Sequence, residues 1–405
     1  MQTPSLPPMA ELLANPHPFF AALREAAPVL KVEAFMGAYV VTRHEHIGAV
    51  LKNTTVFSSR GMGFEQVLPP ELGEEVLRYF RVEHNLISSD PPEHTRLRTL
   101  VSRAFTPRRV AELEPHLREI TRGLLDTLLA RDEFELMAGL AAPLPVTVIA
   151  ELLGIEPEHR QDFKRWSDAI LQAASFTIRD KSQLGQSIRQ LQDYLEAAIE
   201  RRRREPRNDL MGALVEASEA EGGFLSTLEL IDFVRLLLIA GNETTTNLIG
   251  NGMVALLQHP SEWERLVADP SLLPNAIEEM LRYEPPAQSV LRVTTQDTEV
   301  AGVPIPKGSR IMLLLSAANR DPRRFPEPDR FDITRDAHGH LAFGHGVHFC
   351  LGAPLARLEA RVVFEELLRR VRRVSFAPGQ EDHIAWGETF IVRGPLSLRL
   401  RAGRR

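Results

Sequence analysis

The strongest constraint on the fold is one long helical pattern, which opens at Ser226 and stops before Pro260. Ser226-Thr227-Leu228-Glu229 has capping-box spacing, with Ser226 as the N-cap and Glu229 reaching back to it. The pattern holds from there to about Gln258. Some 30 residues at 1.5 Å each give roughly 45 Å, enough to cross a whole domain. The first half, Leu230 to Ile239, is apolar on nearly every side and is predicted to be buried. The rest of the chain must therefore pack around this element, and 405 residues suffice for a large core.

The middle of the helix departs from its apolar character in Ala240-Gly241-Asn242-Glu243-Thr244-Thr245-Thr246. Gly costs about 1 kcal/mol in a helix interior, and Thr hydroxyls compete for backbone carbonyls. A local opening of the helix is predicted here, with room for water. Taken alone, a Glu beside a Thr reads as a satisfied carboxylate and a hydroxyl bonded within its own helix. A carboxylate that relays protons and a hydroxyl that orients a water also suit general acid catalysis.

Hydrophobic residues make up 43% and charged residues 25%, as in ordinary globular proteins. A formal charge of −6 argues against broad nucleic-acid binding, which needs a positive surface. The basic residues are nearly all Arg, a compositional habit with no bearing on ligands. Thr244 to Ser261, the longest uncharged run, carries too many polar residues for an apolar membrane span. The N-terminus has neither the basic start nor the apolar core of a secretory signal. The expectation is a cytoplasmic protein without a membrane anchor.

Helical periodicity recurs in Arg109 to Ala130, Gln186 to Arg203 and Arg357 to Val371. Strand-like runs are few. Val29 to Val41 reads as two strands around Gly37, Glu299 to Leu315 as a hairpin, and Thr389 to Leu400 as a last strand. Arg201 to Arg204 reads as a solvated helix end that complements the dipole. The predicted fold is mainly α with small β-sheets, in a single domain spanning 1–405.

The single cysteine lies in Phe343-Gly344-His345-Gly346-Val347-His348-Phe349-Cys350-Leu351-Gly352. A lone cysteine makes no internal disulfide and no multi-cysteine metal site, and most are plain buried hydrophobes. Here glycines permit a tight loop close to a flat ligand. Pro354 suits the first turn of a following helix, which would set Cys350 where the dipole favours a thiolate. Such a thiolate is one of the few ways a protein ligates haem iron.

The ten residues resemble, at every fixed position, the haem-binding loop of the cytochrome P450 family, F-G-x-G-x-H-x-C-x-G. The central helix is similar to the family's oxygen-activating motif A-G-x-[DE]-T, which maps its acid and alcohol onto Glu243 and Thr244. The resemblance implies haem b with Cys350 as the iron's thiolate ligand, in a loop that includes Phe343, Gly344 and Gly352. It implies proton delivery by Glu243 and Thr244, so that the O–O bond of dioxygen splits heterolytically. His94 and Arg98, one helical turn apart, match the family's propionate-binding H-x-x-x-R, and Arg292 and His348 its other two contacts. Without that framework each would read as a solvated charge. Glu279 and Arg282 resemble the structural E-x-x-R pair, with Arg330 as the third partner.

By position in the family pattern, Leu236, Ile239, Ala240, Gln288, Val290, Leu291, Phe390 and Ile391 should line the substrate pocket. Met62, Phe64, Leu86 and Ile87, with Phe176 and Ile178 from the lid, would complete it. Nearly all are apolar, which favours a hydrophobic substrate: a fatty acid, a terpenoid or steroid, or a polyketide. No flavin or ferredoxin domain is expected in the chain. The resemblance therefore implies a monomeric monooxygenase that takes O2 and receives electrons from a separate ferredoxin or flavodoxin with its reductase. Arg103, Arg108, Arg109, Arg357 and Arg361 are candidates for a basic docking face. Two other classes fit parts of the pattern. A haem gas sensor or electron carrier needs no acid–alcohol pair, and a binding protein without redox activity would not turn over.

Overall fold

The computed structural model describes residues 4–35, 37–60, 86–174, 181–219, 226–380, 383–387 and 391–404. Its principal helices, in chain order, are α1 (His17–Ala26), α2 (Glu93–Ala104), α3 (Glu114–Leu128), α4 (Arg160–Ala174), α5 (Lys181–Arg204), α6 (Leu210–Glu219), α7 (Thr227–Gln258), α8 (Leu273–Tyr283) and α9 (Ala353–Arg370). The strands are β1 (Val29–Val32), β2 (Ala38–Val41), β3 (Phe57–Ser58), β4 (Glu133–Glu135), β5 (Ser289–Thr294), β6 (Thr298–Val300), β7 (Val303–Ile305), β8 (Arg310–Leu314), β9 (Val371–Phe376) and β10 (Arg399–Arg404). The chain forms two compact units, each assembled from separated segments. One comprises Met1–Ser58, Leu113–Pro143 and Thr244–Arg405; the other comprises Ser59–Glu112 and Leu144–Glu243.

Among the described residues, three sheets form, and all lie in the first unit. A five-stranded sheet runs in the order β1-β2-β8-β5-β3, with β2 and β8 parallel and the other pairs antiparallel. One of its faces is covered by a cluster that includes Val41, Ile47, Leu51 and Leu313, the other by one that includes Phe20, Leu23, Val40 and Leu314. Consecutive residues of one strand thus feed different cores, as a pleated strand requires. The predicted turn at Gly37 is present, with φ +66°. The predicted Glu299–Leu315 hairpin proves shorter. Only β6 and β7 pair with each other, while β8 joins β2 to β5. The last strand begins at Arg399, so the predicted start at Thr389 is ten residues early. Among the described residues, the segment before it makes isolated bridges, Ala287 to Val392 and Trp386 to Pro395.

In the second unit α5 packs on α4 and α6, and α6 on α2. Arg202, predicted as part of a solvated helix end, is buried: it bonds to Asp209 and to the Gly154 carbonyl at 2.8 Å. The run is thus partly an internal brace.

The capping box at the start of α7 forms as the sequence indicates. Ser226 N donates to Glu229 Oε2 at 2.7 Å, and Glu229 N to Ser226 Oγ at 3.2 Å. The predicted opening at Gly241 does not occur, and α7 is continuous for its 32 residues. Its threonines bond outward instead. Thr246 Oγ1 donates to the Ala141 carbonyl at 3.0 Å, and Thr245 bonds to Glu359. Gly241 serves close packing, since a Cβ there would lie 3.2 Å from Ile149 Cδ1.

Candidate active site

Cys350 is held by a loop that depends on glycine. Gly344 and Gly346 have φ of +69° and +73°, and a Cβ on Gly346 would come within 2.8 Å of the Leu51 carbonyl oxygen. The loop closes through Gly344 N to Leu341 O at 2.9 Å, Phe349 N to Gly346 O at 3.1 Å and Cys350 N to Phe343 O at 2.9 Å. The Phe343 and Phe349 rings meet edge-on at 6.2 Å, and the Arg357 guanidinium lies 4.6 Å over Phe343. Helix α9 then starts at Ala353, with Gly352 as N-cap and Pro354 in the first turn. The half-buried Cys350 thiol stands just before this helix N-terminus, where unpaired N–H groups favour a thiolate.

The Glu279–Arg282 pair is fully buried in α8, with contacts of 2.6 and 2.8 Å. Arg282 also donates to the Asn319 and Pro328 carbonyls at 2.9 Å. The third partner is Arg335, not Arg330. Arg335 Nε reaches Glu279 Oε1 at 3.2 Å, whereas the Arg330 side chain is 61% exposed and pairs with Glu327 and Asp332. Arg330 takes part through its carbonyl, which accepts from Arg282 at 3.3 Å and Arg335 at 3.1 Å. Arg335 also donates to the Pro326, Glu327 and Arg330 carbonyls, so its loss breaks a contact to the buried Glu279 and three that hold the loop. Arg335→Ala is therefore expected to lower the denaturation midpoint strongly. Arg330→Ala should change stability by less than about 0.5 kcal/mol. Equal losses in the two variants would reject the reassignment.

The expected basic docking face is largely neutralised. Arg357 grips Glu278 through two contacts, at 2.7 and 2.8 Å. Burial would raise the Glu278 carboxyl, but Arg357 and His340 hold it at about 2. Arg361 pairs with Glu114 and Glu365, and Arg108 with Glu112. Arg109 bonds to Asn208, and the Arg103 side chain lies outside the described residues.

On α7, Leu236, Ile239, Ala240, Glu243 and Thr244 are only half-buried although Leu238, Leu248 and Ile249 beside them are fully buried. Burial pushes the Glu243 carboxyl up to about 7. Val290 and Arg292 share one face of β5, Val290 packing beside the Leu313 cluster. Leu291 turns to the opposite face and joins the Phe20 cluster, so it does not line the same pocket. Gln288 is also corrected. It is buried, and its amide donates to Glu284 at 3.2 Å and the Pro285 carbonyl at 2.6 Å instead of facing a ligand. Ile391 is half-buried and accepts at its carbonyl from Gln288 N at 2.8 Å. Leu86 is buried and Ile87 exposed. Met62, Phe64, Phe176, Ile178 and Phe390 lie outside the described residues.

Sequence reasoning missed Glu359. It is buried on α9, pushed up to about 8 by burial against a hydrogen bond from Thr245, the neighbour of Thr244. Its place among Leu355, Leu358 and Val362 on the apolar stripe of the helix was the available signal. The residues present fit a haem. A half-buried thiol precedes a helix N-terminus, and Arg292 is buried in the same unit, as is His94, with Arg98 one turn on, in the other. Such cationic and hydrogen-bonding groups suit propionates.

Comparison with known proteins agrees. The family model described as Cytochrome P450 matches residues 14–396. The chain is 41% identical to "Cytochrome P450 monooxygenase PikC" of Streptomyces venezuelae, over 99% of this chain and 97% of that one. It is 41% identical to "6-deoxyerythronolide B hydroxylase" of Saccharopolyspora erythraea (94% and 95% covered). It is 42% identical to "Vitamin D(3) 25-hydroxylase" of Pseudonocardia autotrophica (96% and 94% covered). Among solved structures, cytochrome P450 CYP109Q5 from Chondromyces apiculatus superposes with a TM-score of 0.88 at 44% identity, covering 98% of this chain and 97% of that one.

Proposed function

The chain belongs to the cytochrome P450 family of haem-thiolate monooxygenases, and from that premise we propose that it hydroxylates a large hydrophobic substrate of steroid, terpenoid or polyketide type. Fatty acids are the third class the site admits. The observation that carries this reading is the set of half-buried apolar residues, Leu236, Ile239 and Ala240, directly before the acid–alcohol pair of α7. The relatives named for 6-deoxyerythronolide B and for vitamin D3 support the bulkier classes.

Haem, when bound, supplies the chemistry that activates O2 with two electrons. Cys350 would ligate the iron, while His94, Arg98, Arg292 and His348 would hold the propionates. Leu236, Ile239, Ala240, Val290 and Ile391 exclude water and orient the apolar substrate. Glu243, half-protonated near neutrality, hands on a proton, and the Thr244 hydroxyl orients the water that carries it. A gas sensor or an electron carrier would have no use for this pair.

Among the described residues no helix is long and apolar enough to cross a membrane. We place the protein in the cytoplasm as a monomer, working as one functional domain and reduced by a ferredoxin or flavodoxin. The test is an optical titration of the ferric holoprotein with steroids, polyketide macrolides and saturated fatty acids. A saturable shift of the main haem band with one of the bulky classes is expected. No shift with any steroid or polyketide, or tighter binding of fatty acids, would reject the substrate assignment.

A further inference from the structure

The two neighbouring glutamates of α8 serve different parts of the fold. Glu279 is fully buried and holds Arg282 and Arg335. Glu278, with its side chain 29% exposed, reaches the groups around the Cys350 loop instead. Its ionised carboxylate accepts from Arg357 Nε and Nη2 at 2.7 and 2.8 Å, and from His340 Nε2 at 3.1 Å. His340 Nδ1 accepts from Ala342 N at 3.1 Å, so Nε2 is the nitrogen that donates to Glu278.

Both partners of Glu278 lie against Phe343. The Arg357 guanidinium stands 4.6 Å over the face of the ring, and the His340 ring lies 6.0 Å from it. Phe343 is tied in turn to Cys350, whose N–H donates to its carbonyl at 2.9 Å. The Phe343 ring also meets that of Phe349, the residue before Cys350, at 6.2 Å. A carboxylate on α8 and a guanidinium on α9 are thus fixed, with opposite charge, beside the loop that presents the sulfur. All of these residues belong to one unit.

Outer partners of this kind orient a metal ligand and tune the metal it binds. Positive charge beside a redox centre favours the reduced form, which carries one electron more, and negative charge favours the oxidised form. Arg357 unpaired would therefore raise the reduction potential, and Glu278 cancels it. We propose that Glu278 is a positioning residue for electron uptake, which pins Arg357 on Phe343, neutralises it, and so keeps the potential of the thiolate-ligated haem low. The inference rests on the haem-thiolate reading above and adds a residue to it.

The test is a spectroelectrochemical titration of the ferric holoprotein and its variants. Glu278→Gln leaves Arg357 uncompensated and is expected to shift the ferric–ferrous equilibrium toward ferrous by about threefold or more. Arg357→Met leaves Glu278 uncompensated and should shift it by a similar factor toward ferric. The double variant should return close to the wild-type value, and Glu278→Asp, which keeps the charge, should stay there. A purely structural brace would move both single variants in the same direction, since each loosens the same loop. Shifts of the same sign, or potentials unchanged in both, overturn the proposal. If one single variant fails to retain haem, the sign of the other decides. The thiolate-type band of the reduced carbon monoxide complex checks the underlying reading first. Its absence from the wild-type protein would overturn both, whereas unchanged potentials in variants that keep the band overturn the proposal alone.

Discussion

Cys350→Ala is expected to abolish the thiolate-type spectrum of the reduced carbon monoxide complex, and turnover with it. The expectation follows from the loop, which offers a single sulfur at a position tuned for its ionised form. Glycines of positive φ fix the turn, and the α9 N-terminus lies immediately ahead. No other cysteine exists to take its place. Loss of haem from the variant would leave its absorption uninformative, so Cys350→His serves as the companion. It keeps a ligand and should retain haem, yet lack the thiolate band. A thiolate-type spectrum in either variant would exclude Cys350 as the ligand.

Thr244→Ala should divert consumed electrons to peroxide and lower product per electron by about tenfold or more. Glu243 makes a linked prediction. Burial pushes its carboxyl up to about 7, so the proton it donates is present below that pH and lost above it. Coupled turnover should therefore fall as pH rises through about 7. Glu243→Gln, which has no proton to titrate there, should run low and flat across the same range. Wild-type coupling in Thr244→Ala, or an unaltered pH profile in Glu243→Gln, would remove the pair from the proton path.

Motifs whose meaning is local were legible in the sequence. The capping box at Ser226 and Glu229 needs only neighbouring residues and formed as read. The cysteine loop likewise carries its geometry in its own glycines and Pro354. Readings that depended on tertiary partners fared worse. Arg330 and Arg335 are both arginines in one loop, and only packing decides which one reaches the buried Glu279. Gly241 predicts an opening in α7, but the helix is continuous, with Gly241 packed near Ile149 and Thr245 and Thr246 bonded to Glu359 and Ala141. Gln288 and Leu291 were placed by position in a family pattern, whereas strand alternation and the Glu284 carboxylate determine where they point. Arg357 and Arg361 looked like free positive charge because Glu278 and Glu114 lie far away in sequence.

The most direct test of the central claim is turnover under isotopically heavy dioxygen, with a reduced ferredoxin and whichever substrate shifts the haem band. Mass spectrometry of the product should show one heavy oxygen atom inserted, with the label absent when only the water is heavy. Label from water alone, or a product made without dioxygen, would contradict the assignment of this chain as a monooxygenase.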